Sequence, residues 1–227
     1  MEPNLILPAS APSAITLSIA NKNGDLATNF RRLVFEQYQM RGWLDPNEYP
    51  EGIVTDKYDD HSDLLVVQSG EEVVAGMRIV RDMGFGYPHE KDLPITQFIP
   101  SGYYENKTLR KLANTDRKNM AEITKVVGKK QQRMLTFDII KCLYWYAKRS
   151  DIELYLMVVD LDFYKLCTRL GIPIEPIGNE VYCEGSLTLP AVTDPSCYAE
   201  SISKKSKRNW EYIATQHNLD DTWTRRH

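Results

Sequence analysis

The sequence predicts an α+β domain built on a mixed, mostly antiparallel sheet flanked by helices. Two observations carry this. Strand-like residues 64–68 and 73–80 are separated only by Ser69-Gly70-Glu71-Glu72, the pattern of a β-hairpin. Farther on, strand-like residues 121–127 and 152–159 flank a helical pattern over 131–148, the pattern of a parallel crossover.

Each element follows from its local pattern. Residues 1–13 are rich in Pro, Ala and Ser and predict a loosely ordered start. Ile15, Leu17 and Ile19 alternate with polar residues, so 15–20 reads as a strand ended by Asn21-Lys22-Asn23-Gly24-Asp25. Asp25 or Thr28 is expected to cap the helix in which Phe30, Leu33, Val34 and Tyr38 recur, and Gly42 ends it. Residues 43–63 form an acidic loop with Pro46 and Pro50, and 82–118 read as a long polar loop. A short helix over 162–169 stops at Gly171, strands are expected over 172–177 and 181–189, and a basic helix over 201–216. The boundaries drawn are a core domain over 14–195 and a basic helical extension over 196–227.

Composition narrows the function. The chain has 227 residues, 42% hydrophobic and 26% charged, with a net charge of −3. That is an ordinary globular balance and gives no global pull toward nucleic acid. Cys142, Cys167, Cys183 and Cys197 form no C-x-x-C pair, so neither a metal site nor a redox dithiol is expected. Scattered thiols fit a reducing, cytoplasmic setting. The first twenty residues lack the basic start of a signal peptide, and no apolar run approaches the ~20 residues of a membrane helix.

Five stretches in order carry a resemblance: Arg31-x-x-Val34-Phe35, Trp43, Asp56-Lys57-Tyr58-Asp59, Gly76-Met77-Arg78-Ile79-Val80 and Ala121-Glu122-Ile123-Thr124-Lys125. Together they resemble the acyl-homoserine lactone (autoinducer) synthases and the N-acyl amino acid synthases, over roughly residues 28–192. The tail from Leu170 to Gly178, with Tyr182, Gly185 and Pro190, is closer to the second branch. The resemblance implies the GNAT acyltransferase fold. It also implies acyl transfer from an acyl carrier protein to the amino group of an amino acid. No tightly bound cofactor is implied; acyl-phosphopantetheine or acyl-CoA is the co-substrate. Two departures stand out. Lys125 replaces the usual arginine, a point charge in place of a bidentate fork. The spacing from Phe35 to Trp43 is long for a lactone synthase. Acetyl-CoA enzymes carry a glycine-rich pyrophosphate loop after this strand; here Gly128-Lys129-Lys130-Gln131-Gln132-Arg133 has one glycine, which favours a carrier-bound arm.

Amide formation from a thioester needs a neutral amine, a polarised carbonyl and alignment of the two. Glu122 is the candidate base, or else the ion-pair partner of Arg78. Arg78, sharing a face with Val74, Gly76 and Val80, needs an anion: Asp56, Asp59 or Glu122. Asp56 and Asp59 bind the acceptor amine or close the loop over the cleft, unless they are merely a solvated acidic run. Arg31, Phe35 and Trp43 are assigned to the carrier-arm entrance. In a regular strand Glu122 and Lys125 point to opposite faces. A β-bulge between them would bring them together; the resemblance to the GNAT enzymes implies such a bulge, expected near residues 123–126, with a backbone N–H freed at Val126 for the thioester oxygen. Lys129, Lys130 and Arg133, within a basic stretch reaching Arg149, are the candidate docking surface for an acidic carrier, against a plain solvated helix face. Cys167 stands where such enzymes often place a proton-donating tyrosine, with Tyr164 as alternative. Three other readings stay open: a lactone synthase using S-adenosylmethionine, an acetyl-CoA N-acetyltransferase, and a degenerate acyl-binding domain.

Overall fold

The computed structural model describes residues 14–81, 107–129, 135–183 and 185–223. Strand β1 (Ile15–Ala20), helix α1 (Asp25–Arg41) and the hairpin β2 (Ser62–Ser69)–β3 (Glu72–Val80) come first. Helix α2 (Lys107–Asn114), β4 (Met120–Gly128), α3 (Leu135–Ser150), β5 (Leu154–Asp160) and α4 (Leu161–Leu170) follow. The chain ends with β6 (Glu175–Pro176), β7 (Val181–Cys183), β8 (Ser186–Thr193), α5 (Tyr198–Lys205) and α6 (Lys207–Ala214). The strands form one sheet in the order β1-β2-β3-β4-β5-β8-β6, with β7 on β8. β4 and β5 pair in parallel and the other strand pairs are antiparallel, because α3 carries the chain back across the sheet between β4 and β5.

Alternation along the strands sorts their side chains between two layers. Leu17, Leu65, Met77, Ile79, Ala121, Ile123 and Tyr155 face α3 and form the larger core. Leu64, Val66, Val73 and Val127 face α1 and pack on its Phe30, Leu33 and Val34. On this second face Gly76 lets α1 approach: a Cβ there would lie 2.7 Å from the Leu65 carbonyl oxygen and 2.8 Å from Phe30 Cδ2.

Several expectations are corrected. Val74 does not share the face of Arg78. Gln68 pairs with Val73 while Val67 pairs with Ala75, so Val74 is an extra residue and packs in the α3 layer. Neither Asp25 nor Thr28 caps α1: its N-cap is Gly24, and the Thr28 hydroxyl points back to the Gly24 carbonyl. The loop over 82–118 contains helix α2; residues 82–106, including the apolar piece at 95–99, lie outside the described residues. The strand over 172–177 shrinks to Glu175–Pro176, since Pro173 and Pro176 have no N–H to donate. The strand over 181–189 is a hairpin, turned at Gly185 with φ 80°. The C-terminal helix is two helices, because Ser206, with φ −160°, ends α5 and caps α6 through its hydroxyl.

The C-terminal pair is fastened to α3. Lys141, fully buried, donates to the Tyr212 carbonyl at 3.0 Å and to Thr215 Oγ1 at 3.2 Å, while Tyr212 donates to Asp138. The segment after α6 then runs beside β1: Leu219 bridges Leu17, and Trp223 Nε1 donates to the Leu17 carbonyl at 2.7 Å.

Replacing Gly76 by alanine forces a methyl against backbone that has nowhere to move. We expect Gly76→Ala to lower stability by about 1–3 kcal/mol, read as a reduced urea midpoint.

Candidate active site

β4 departs from regular geometry where β5 leaves it. The β4–β5 ladder runs from Met120↔Leu154 to Ile123↔Met157 and stops. Beyond that point β4 stays paired to β3 and β5 to β8, so the sheet opens at this seam. Residues 123–129 and 157–160 line the two walls of a cleft of about 870 Å³.

The bulge lies within the expected residues 123–126. Gly76 pairs with Val127 and Arg78 with Thr124, so Lys125 and Val126 together oppose Met77. Lys125 takes up the extra residue with φ 50°. Ile123 and Val126 pack on the α3 side, whereas Thr124 and Lys125 both reach the charged groups on the α1 side. Lys125 and Val126 have no cross-strand partner on either neighbour among the described residues.

Arg78, 3% exposed, centres the charged side. Its Nη1 donates to Asp56 Oδ1 at 2.6 Å and to Asp59 Oδ1 at 2.7 Å, and its Nε donates to Thr124 Oγ1 at 2.9 Å. Lys125 Nζ stands 3.3 Å from Asp56 Oδ2, and Arg31 Nε 3.4 Å from Asp59 Oδ2. Burial raises the Asp56 pKa, but the Arg78 hydrogen bond and charge, the Lys125 charge and the Tyr58 N–H together hold its carboxyl below the usual range. Burial disfavours the charged guanidinium of Arg78; its bonds to Asp56 and Asp59 outweigh this and raise its pKa.

The candidates therefore separate. Asp56, Arg78, Lys125 and Val126 line the cleft, as do Trp43 and Lys129. Trp43 lies under the Arg41 guanidinium, at 4.6 Å from its ring. Arg31 and Phe35 do not line the cleft. Arg31 holds Asp59 and, through its carbonyl, the Val54 N–H; Phe35 meets the Tyr49 ring edge-on at 6.4 Å. Both fasten the loop that carries Asp56. Glu122, fully buried, shares the face of Thr124 and Arg78 but is not among the acidic partners of Arg78, and neither it nor Asp59 lines the cleft.

Two residues of the site were missed. Thr124 stands opposite Arg78 and takes its third hydrogen bond, and Tyr58 lies under the guanidinium at 5.9 Å from its ring. Thr124 was findable in principle, since the bulge register puts it opposite Arg78; Tyr58 left only its place inside the Asp56–Asp59 motif.

Several members of the basic stretch are engaged within the fold. Lys141 is buried, Lys148 lies over the Tyr144 and Trp145 rings, Arg149 donates to the Thr222 carbonyl, and Lys129 pairs with Glu72. Lys130 and Arg133 lie outside the described residues. Cys167 is buried, its thiol pushed up to about 12 by desolvation, and neither it nor Tyr164 lines the cleft.

Comparison with known proteins is decisive at this point. The family described as N-acyl amino acid synthase FeeM matches residues 29–193. The chain belongs to this family. No curated protein sequence matches it significantly. Among solved structures, the CoA-dependent acyl-homoserine lactone synthase BjaI with SAM and isopentyl-CoA superposes with a TM-score of 0.68 at 13% identity, over 91% of this chain and 93% of that one. FeeM, an N-acyl amino acid synthase from uncultured soil microbes, gives 0.61 at 11%, over 86% and 98%. The lactone synthase LasI gives 0.58 at 16%, over 81% and 91%. The fold is that of the GNAT-type acyltransferases, and membership of the FeeM family makes this chain an N-acyltransferase.

Arg78→Met leaves the buried Asp59 carboxylate and the partly exposed Asp56 carboxylate without the cation they share. We expect a loss of about 3–5 kcal/mol. Because the Asp56 pKa is depressed in the folded state, its contribution is present above pH ~4 and lost as the pH falls through the lowered pKa. The stability gap between wild type and Arg78→Met in urea titrations should therefore narrow below pH ~4.

Proposed function

We propose that the enzyme moves a fatty acyl group from an acyl carrier protein thioester to the amino group of an amino acid. The observation that carries this is the continuity of the cleft through the sheet. On the α1 side it is walled by Asp56, Arg78, Thr124 and Lys125; on the α3 side by Leu135, Ile139, Ile140 and Leu143. Lys125 and Val126, free of the ladder, stand between the two. A polar amine and an apolar tail can thus meet with the reacting carbonyl at the bulge.

In this reading the acyl tail lies against α3 and the amino acid enters on the charged side. The backbone N–H at Val126 receives the thioester oxygen, where negative charge develops. The amine nitrogen attacks the carbonyl carbon, the C–N bond forms, the C–S bond breaks and the pantetheine sulfur leaves as thiolate. Glu122, two residues before Thr124 on the same face and itself outside the cleft lining, takes the ammonium proton through a water. Asp56 orients the ammonium; its first proton goes to Glu122, and the second, lost as the amide forms, goes to the departing thiolate. Lys125 and Arg78 supply positive charge for the acceptor carboxylate. A carrier-bound donor is favoured by the single glycine in residues 128–133. The four cysteines carry no disulfide, in keeping with a cytoplasmic reaction. No helix among the described residues is long and apolar enough to cross a membrane.

Mass spectrometry of extracts from an expressing bacterium tests the reading. N-acyl amino acids should appear with wild type and fall about 10²- to 10⁴-fold with Glu122→Gln. No acylated amino acid from wild type, or an unchanged yield with the variant, refutes it. Purified enzyme given acyl carrier thioester and acyl-CoA separately decides the donor, with turnover expected mainly from the carrier.

A further inference from the structure

The sheet fixes which end of the cleft is open. Strands β4 and β5 separate above Ile123 and Met157. Tyr155, two residues before Met157, lies inside the closed pairing, opposite Ala121 on one side and Thr193 on the other. Helix α3 runs between the same levels. Leu135 lies near Gly128 at the open end, and the Leu143 carbonyl accepts from the Tyr155 hydroxyl at 2.9 Å at the closed end. Thr193 and Tyr198 both line the cavity, at this closed end.

Tyr198 is not contributed by the family's matched region, which ends at residue 193. It is the first residue of α5, is fully buried and belongs to the same core as the α3 wall. Its hydroxyl lies 3.3 Å from Thr193 Oγ1, which itself donates to the Pro173 carbonyl at 2.5 Å. The turn before it is fixed as well: Asp194 accepts from the Ser196 N–H at 2.8 Å and pairs with Lys111 at 2.8 Å. A ring clamped at its hydroxyl and at its backbone does not swing aside to admit a longer chain.

We propose that Tyr198 is the end wall of the acyl tunnel and sets the longest acyl chain the enzyme accepts, so that the C-terminal extension determines specificity. The proposal rests on the fatty-acyl reading given above. An extended alkyl chain advances about 1.3 Å per carbon, so shortening or enlarging the wall residue by about 3 Å changes the limit by about two carbons.

Saturated fatty acids from octanoate to stearate, titrated into the purified full chain and followed by calorimetry, give the test. Wild type should bind up to a definite length and no further. Tyr198→Leu should raise that limit by about two carbons and Tyr198→Trp should lower it, with the fold of each checked by its urea transition. A limit that stays put in either folded variant, or a wild-type protein with no limit, overturns the proposal while leaving acyl transfer intact. A wild-type protein that binds no fatty acid at all overturns both.

Discussion

Lys125 sits in a left-handed conformation inside a strand, and the site is built around that extra residue. A non-glycine residue at positive φ in a strand carries a conformational cost of order 1–3 kcal/mol, so the surroundings must hold it there. Here β3 holds the strand on both sides of the irregularity, through Gly76↔Val127 on one side and Arg78↔Thr124 on the other. The consequences spread in two directions. Across the strand, Thr124 and Lys125 both turn to the charged layer. Along it, the bulged segment has no ladder partner on β5, and a cleft opens through an otherwise continuous sheet.

Arg78 makes the charged layer possible. A guanidinium in a β-strand would be an error of patterning without anions to receive it. The loop after α1 brings two, and α1 in turn fastens the loop through Arg31 and Phe35. Residues that form an ordered motif in sequence thus divide between the cleft and its support. Asp56, Arg78 and Lys125 touch the cleft; Arg31 and Phe35 act through the loop.

The C-terminal segment is bound into the domain. Burial lowers the pKa of Lys141, opposed in part by the Asp138 charge, while the Tyr212 carbonyl accepts from its Nζ and the Tyr212 ring lies 4.4 Å away, so this buried lysine is partnered in a helix that otherwise packs by apolar periodicity. Asp220 accepts from Ser18 at 2.5 Å, and the chain beyond α6 runs along β1. That covers backbone groups on the outer edge of the sheet, where an exposed strand invites association.

By itself the sequence determined what depends on near neighbours. Period-two alternation marked β1, a short polar turn between two apolar runs marked the β2–β3 hairpin, and glycine marked the ends of α1 and α4 at Gly42 and Gly171, both at positive φ. The bulge was legible only with the family resemblance beside it: parity puts Glu122 and Lys125 on opposite faces unless a residue is inserted, and the resemblance implied the insertion. Turn geometry within short segments was less legible: Gly185 and Ser206 split elements that composition alone reads as continuous. Partner choice was beyond it. Three acids stood as candidates for Arg78, and only the approach of the loop assigned Asp56 and Asp59. A run of basic residues read as one surface, yet Lys141 is interior because α6 lies on α3. The cleft itself belongs to tertiary structure alone. It exists where two parallel strands stop pairing, and it is walled by residues as far apart in the chain as Trp43 and Tyr198, whose meeting no local pattern encodes.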